Sequence, residues 1–410
     1  MWDRKPELLA PAGDMEKLTF ALKYGADAVY LGGKNFSLRA QAGNFTLEEL
    51  KRAVDLVHQQ DKKVYLTINI FAHNRDLEAL ADYLHQISLL TPDALIISDP
   101  GVFSLAKELA PQIPIHISTQ ANNTNWRTAD FWLKQGAKRM ILARELSLSE
   151  AAEIRAESNL ETEIFIHGAI CVSYSGRCLL SSFLSRRDAN QGDCAQPCRW
   201  HYRLEEAKRP GQYLPIEEDQ RGTYIMNSKD LALLPYLPQL LSAGADGWKI
   251  EGRNKSAYYT ANITRIYRLA LDTALEEQEN FFMRRQWLEE IAKVSHREYS
   301  GAFAFEPPAG DGYRYDSGGY IRPYDFAGVI KAIEGQSLII EQRNTLAVGD
   351  NIEIILPDGQ NICYKIPSII DEEGNSIERA PHAKQVISVP YTGNMEKLAT
   401  VPLIIRRPVI

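Results

Sequence analysis

The chain has 410 residues, 45% hydrophobic and 24% charged, an ordinary balance for a globular protein and enough length for two domains or one large barrel with an appendage. Its 46 basic against 53 acidic residues give a net charge of −7, which argues against a wholesale nucleic-acid coat but leaves room for a local basic face. The opening run MWDRKPELLAPAG carries charges where a signal peptide needs an apolar core, and no apolar run reaches the length of a membrane span, so a cytoplasmic protein without a membrane partner is expected.

From residue 7 onward, short apolar runs alternate with helix-length amphipathic segments. The predicted strands are Glu7–Ala10, Ala28–Leu31, Val64–Ile70, Ala94–Ser98, Ile115–Ser118, Arg139–Ala143 and Glu163–His167. Between them lie predicted helices over Asp14–Tyr24, Thr46–Gln60, Asp76–Leu90, Gly101–Ala110, Thr124–Gln135 and Ser147–Glu157. Such alternation argues for repeated parallel βα units. One helix-to-strand joint recurs as Tyr24-Gly25-Ala26-Asp27, Gln135-Gly136-Ala137-Lys138 and Ala243-Gly244-Ala245-Asp246. Glycine there takes the left-handed conformation that ends a helix. An eighth strand, Gly247–Glu251, precedes a helix over Ser256–Leu275, and eight βα units make a TIM-like (β/α)8 barrel. A spare strand at Tyr224–Asn227 belongs to an excursion over about 168–245, between the seventh and eighth strands. An open doubly wound sheet is the alternative, but no GxGxxG follows the first strand.

Alternation along these strands sorts their side chains. With Ile115 and Ile117 turned to the helices, His116, Ser118 and Gln120 point into the barrel, and Tyr65, Thr67 and Asn69 line up the same way. Likewise Glu163, Phe165 and His167, and Lys249, Glu251 and Arg253, are expected to face the lumen. Polar groups at the C-terminal ends of barrel strands belong to active sites, whereas a satisfied buried polar network is the structural alternative. On this basis His167, Glu251 and Arg253 are the candidate catalytic residues, with Asn69 and Gln120 beside them.

The excursion carries four of the five cysteines, Cys171, Cys178, Cys194 and Cys198, separated by six, fifteen and three residues among glycines. Four thiolates at one point suit a tetrahedral zinc or an iron–sulfur cluster. Two disulfides compete, but an odd cysteine and a cytosolic setting disfavour them. Only Cys194 and Cys198 have a zinc-knuckle spacing, which tilts the reading toward a cluster, and no CxxxCxxC triplet signals radical chemistry. The fifth, Cys363 in ICYKI, reads as a small hydrophobe in an apolar strand. From Cys171 to Arg209 seven basic residues face four acidic ones, a local excess that includes Arg186, Arg187, Arg199 and Arg203. Beyond the barrel come a polar helix at Gln286–Lys293, a glycine- and proline-rich connection, and short β runs with tight turns. The expected division is a barrel over 1–300, a linker over 301–325 and a small β-barrel over 326–410.

The run EIFIHGAIC ending at Cys171, its continuation SGRCLLS, and Lys249-Ile250-Glu251-Gly252-Arg253 resemble the signature of the collagenase-like peptidases of the U class, whose mechanism is unassigned. LLAPAGD, GADAVYLGG, DALIISDPG and YIMNSKDL extend the resemblance over almost the whole chain, toward members that make 5-hydroxyuridine at the tRNA wobble position. The resemblance implies a [4Fe–4S] cluster on Cys171, Cys178, Cys194 and Cys198, prephenate as co-substrate, tRNA as partner, and electron-transfer or cluster-assembly proteins as further partners. A dicarboxylate needs guanidinium forks, for which Arg39, Arg144, Arg177 and Arg253 are candidates. Tyr174 or Trp200 is the candidate to stack on an extruded base, with packing against the cysteine-bearing loop as the alternative for both and the preferred reading for Trp200. The alternatives are a peptidase, for which neither HExxH nor GxSxG is present, and a sister hydroxylase acting on ribosomal RNA or a ubiquinone precursor.

Overall fold

Parallel pairing in sequence order is what eight βα units require, and the strands close on themselves. In the computed structural model β1 (Glu7–Pro11), β2 (Ala28–Gly32), β3 (Lys63–Ile68), β4 (Ala94–Ile97), β5 (Ile115–Ile117), β6 (Arg139–Ile141) and β7 (Glu161–Gly168) pair successively. The strand Gly247–Ile250 then pairs with both β7 and β1, completing a TIM-like barrel. The structure describes residues 2, 4–38, 43–171, 178–197, 204–205, 213–214, 217–219, 222–224, 227–305, 313–314, 320–398 and 400–409.

The outer helices are α1 (Met15–Lys23), α2 (Leu47–His58), α3 (Leu77–Ser88), α4 (Pro100–Leu109), α5 (Trp126–Gln135) and α6 (Leu148–Glu157). Their starts are written locally. Asp14 accepts the Lys17 N–H, and Thr46 with Glu49, like Ser147 with Glu150, forms a reciprocal capping box. Their apolar faces, such as Leu50, Ala53, Val54 and Val57 of α2, are buried against the strands. At the three recurring joints Gly25, Gly136 and Gly244 have φ of 103°, 94° and 67°, the left-handed backbone expected there.

Between β7 and the eighth barrel strand lie the short helix α7 (Leu180–Ser185) and the helix α8 (Leu237–Ser242). Of the predicted spare strand at Tyr224–Asn227, Tyr224 ends a strand paired with Glu217–Asp219 and Asn227 begins one paired with Tyr313–Arg314, while 225–226 lie outside the described residues. The segment that joins the barrel sheet is Asp230–Ala232, antiparallel to β7 and parallel to Tyr299–Ser300, so two strands are appended where β7 leaves the barrel. Asp230 holds this appendage, accepting from the Arg297 backbone N–H at 3.1 Å and from its Nε at 3.0 Å. Burial would raise its carboxyl, but Arg297 and Lys255 keep it below the usual carboxylate range.

After α9 (Ala257–Glu277) and α10 (Arg285–Ile291) the chain forms a second layer, an antiparallel sheet of eight strands with its own core around Ile330, Ile340, Ile354 and Ile405. Among the described residues no ladder joins its two end strands. It is seated on the barrel through buried charge. Arg265 of α9 and Arg406 of the last strand are fully buried, and their guanidinium groups meet the Glu290 carboxylate of α10 at 2.7 and 2.8 Å. Burial pushes Glu290 upward, but Arg406 and Arg265 outweigh it and hold the carboxyl at about 2. Arg406 Nε also donates to Glu353 at 2.9 Å, and the Tyr24 hydroxyl of the barrel donates to the Ile355 carbonyl at 2.7 Å.

Candidate functional site

The lumen has two levels, and the inward polar residues divide between them. On the lower level Glu163, fully buried, accepts from Lys249 Nζ at 2.9 Å and Arg139 Nη1 at 3.1 Å. Arg139 also donates to Glu7 at 2.6 Å, and Glu7 accepts the Tyr65 hydroxyl at 2.7 Å. His116 lies edge-on to Tyr65, its ring 4.7 Å away. Burial, with Arg139 and Lys249 adding to it, keeps this imidazole neutral. Glu163, Lys249, Arg139, Glu7 and Tyr65 therefore form a buried hydrogen-bonded network that floors the barrel, the structural alternative weighed above, and His116 packs against it with Nδ1 left without a partner among the described residues.

Alternation fails on β7. Lys249 pairs with Phe165 but Ile250 pairs with His167, so Ile166 is an extra residue and the strand bulges. The bulge turns His167 out of the lumen, which corrects its expected position beside the cysteines. Its ring sits 5.9, 5.6 and 5.0 Å from those of Tyr259, Tyr267 and Tyr299, with Nδ1 3.4 Å from the Tyr267 hydroxyl. Burial pushes its pKa down to about 3. A bulge leaves no mark in a hydrophobic pattern, so nothing in the sequence signalled it. The next residue, Gly168, has φ of 114°, and a Cβ there would lie 2.4 Å from the Glu251 carbonyl oxygen. Only glycine lets β7 leave the barrel against the eighth strand.

The upper level opens into a cavity of about 140 Å³ at the C-terminal mouth, where TIM barrels carry their active sites. Asn69, Gln120, Arg144, Glu251 and Arg253 line it, together with Cys171, Cys178 and Cys194. Arg39, Tyr174, Arg177 and Cys198, with Arg199, Trp200 and Arg203, lie outside the described residues. Arg144 is held in place by stacking 3.8 Å over the Phe165 ring and by Glu251, whose Oε2 is 3.5 Å from Nη2. Glu251 Oε2 also stands 3.4 Å from the Tyr30 hydroxyl.

Arg253 is at the mouth but does not serve as the expected carboxylate fork. It is 3% exposed, and Nη1 donates to Ser37 Oγ at 3.0 Å and Thr67 Oγ1 at 2.7 Å. Nη2 donates to the Leu38 carbonyl and to Asn44 Oδ1. The fork thus fastens the connection between β2 and α2 over the mouth. Ser37 and Leu38 were missed because a loop carries no periodicity. Thr67 lies where alternation puts it, on the lumen face two residues before Asn69.

The cysteine-bearing loop is fastened by its own polar groups. Ser181 Oγ of α7 accepts the Ala195 N–H at 2.9 Å, the Asn190 carbonyl accepts the Phe71 N–H at 3.2 Å beyond β3, and Gln191 Nε2 donates to the Phe71 carbonyl. Arg187 pairs with Asp193 at the surface. Cys171 is exposed and Cys178 and Cys194 half-buried, all free thiols. Among the described residues no three His, Cys, Asp or Glu side chains are close enough to grip a single ion. The three thiols instead ring one cavity, and Cys194 Sγ accepts the Gln196 N–H at 3.3 Å. The chemistry of these donors is that of an all-cysteine cluster, whose fourth ligand, Cys198, lies outside the described residues. Cys363 is exposed on the Asn361–Lys365 strand, which corrects the reading of a buried hydrophobe.

Comparison with known proteins gives matches along most of the chain. Residues 13–313 match peptidase family U32, and residues 322–401 match the peptidase family U32 C-terminal domain. The tRNA hydroxylation protein P1 of Bacillus subtilis is 38% identical over 94% of this chain and 91% of its own. The tRNA hydroxylation protein P of Helicobacter pylori is 45% identical over 74% of this chain and 72% of its own. The 23S rRNA 5-hydroxycytidine synthase of Escherichia coli is 32% identical, covering 85% of this chain and 52% of its own.

Proposed function

Because the chain belongs to peptidase family U32, with relatives named for tRNA hydroxylation and for an RNA hydroxycytidine, we propose that it hydroxylates RNA at the barrel mouth. The finer reading is conversion of the tRNA wobble uridine to 5-hydroxyuridine with prephenate as co-substrate. Three thiols, two guanidinium groups and the carboxamides of Asn69 and Gln120 among the residues lining one cavity support it. Replacing C5–H by C5–OH is a two-electron oxidation with insertion of one oxygen atom, beyond what unaided side chains supply. A [4Fe–4S] cluster held by Cys171, Cys178, Cys194 and Cys198 would supply redox or Lewis-acid chemistry there.

The chain's own residues bind and orient. Arg144, braced by Phe165 and Glu251, offers a guanidinium to an organic acid, and Gln120 offers a carboxamide. Glu251 is the carboxylate positioned to take a proton at the mouth. Arg253 keeps the loop before α2 seated over the cavity. A peptidase would need a base beside a nucleophile. His167 is caged by tyrosines and His116 packs against the floor network, so neither activates a thiol in the cavity.

The test is mass spectrometry of tRNA nucleosides from a deletion strain carrying wild-type, Cys171→Ser or Arg144→Ala protein. Loss of 5-hydroxyuridine on deletion, restored by wild type alone, is expected. Normal tRNA in the deletion strain would sink the reading.

A further inference from the structure

The cavity has a fixed hydrogen-bond polarity, set by a chain of donors that begins at a backbone amide. A peptide N–H can only donate, and the Leu38 N–H donates to Asn69 Oδ1 at 3.1 Å. That contact fixes which end of the Asn69 carboxamide is oxygen, an assignment that otherwise rests on the surrounding network. Asn69 Nδ2 then donates to Gln120 Oε1 at 3.0 Å, and Ser98 Oγ reaches the same oxygen at 3.4 Å. Gln120 Oε1 is therefore engaged by Asn69, the single Ser98 hydroxyl proton being shared with the nearer Asn69 carbonyl at 3.3 Å, and Nε2, with no acceptor among the described residues, is the end left for the cavity that Gln120 lines. Arg253 secures the origin of the chain by donating to the carbonyl of Leu38.

We propose that this one-way relay, Leu38 to Asn69 to Gln120, makes Gln120 a donor-only contact which, with Arg144, selects a carboxylate-bearing organic acid. The proposal rests on the reading above that an organic acid is co-substrate, and it assigns the polarity of the site and the residue that sets it. Gln120 touches the ligand. Asn69 and Arg253 are positioning residues that act through it. An ammonium group, which can only donate, finds no acceptor at Gln120 and is rejected there.

Asn69→Asp tests the relay without changing shape. The carboxylate it introduces still accepts the Leu38 N–H but has no N–H for Gln120, so Gln120 turns over, donates Nε2 to that carboxylate and presents Oε1 to the cavity. Prephenate affinity is measured by calorimetry on the anaerobically purified, metal-loaded protein for wild type, Gln120→Ala, Asn69→Asp and the double variant. On the wild-type background Gln120→Ala is expected to weaken binding by about tenfold or more, as for a lost hydrogen bond to a charged group. On the Asn69→Asp background the same change costs nothing or improves binding. The charge added by Asn69→Asp cancels, because both members of that pair carry it. Equal losses in the two backgrounds would overturn the relay. Gln120→Glu provides a second route if Asn69→Asp does not fold, since it is isosteric and presents only oxygen. Unchanged prephenate affinity in that variant would equally defeat the proposal. If prephenate fails to bind wild type while malonate binds and follows the same cycle, the relay stands and prephenate falls as co-substrate. If neither acid binds, the inferred carboxylate selectivity is wrong.

Discussion

Removing Glu163 from the barrel floor should cost more than its hydrogen bonds suggest, because it leaves the Lys249 ammonium buried beside Arg139. Glu163 is fully buried and the Lys249 side chain is 5% exposed, with 2.9 Å between the charged atoms. Breaking a buried pair from one side costs about 3–5 kcal/mol. An independent bound agrees. Lys249 can escape by losing its proton, and neutralising a lysine of ordinary pKa about 10.4 at pH 7 costs about 4.6 kcal/mol. For a barrel of roughly 300 residues such a loss lowers Tm by about 5–8 °C. Burial already lowers the Lys249 pKa, with Glu163 opposing it, and Glu163→Met removes the opposition. A lysine whose folded pKa lies below its unfolded value destabilises as pH falls below the latter, so the deficit should shrink between pH 7 and pH 9, by at most about 2.7 kcal/mol. Glu163→Met with Lys249→Met should recover most of the loss, because two apolar side chains of similar volume leave no orphan charge. Thermal unfolding of the three variants at both pH values is the assay. A pH-independent deficit, or a double variant as unstable as the summed singles, would refute the reasoning.

Acid sensitivity should trace in part to His167. Its folded pKa of about 3 lies below the unfolded value of about 6.5, so its contribution is complete above pH 6.5 and is lost as pH falls toward 3, at about 1.4 kcal/mol per pH unit. Urea unfolding at pH 7.5 and 5.0 should show His167→Phe less destabilised by acid than wild type. Gly168→Ala combines left-handed backbone with a Cβ 2.4 Å from the Glu251 carbonyl, and should cost more than the ~1–2 kcal/mol of backbone strain alone. Gly335→Ala, with φ of 58° and open space around its Cβ, should cost only the strain, and thermal melts of the two variants make the comparison. Arg253→Lys keeps the charge but cannot span Ser37, Thr67 and Leu38 together, so amide exchange over residues 33–38 should quicken and modified uridine should fall.

The barrel was legible because each βα unit carries its own periodicity, and the Gly-Ala joints mark where helices stop. Alternation also placed Thr67 on the lumen side within β3, and Asn69, Ser118 and Gln120, just past the ends of β3 and β5, line the same cavity. Alternation failed where the backbone departs from regularity. The extra residue at Ile166 reversed the face of His167, and the Asp230–Ala232 strand owes its place to Asp230 and Arg297, residues 67 positions apart. Arg253 lies beyond the end of its strand, where alternation has no meaning, so its neighbours rather than its parity decided its role. That polar lumen residues split into a structural floor and a chemical mouth was also not readable, because depth along a strand depends on its register with both neighbours.

The charged seam between the barrel and the C-terminal sheet makes the molecule a caliper. With Arg265 and Arg406 both buried on Glu290, the sheet cannot swing or slide against α9 and α10 without stranding a charge away from water. The span from the sheet to the thiol-lined mouth is therefore a constant of the protein. Any ligand that touches both the sheet and the mouth has to match that span by its own length and bend, whereas one that reaches only the mouth meets no such requirement.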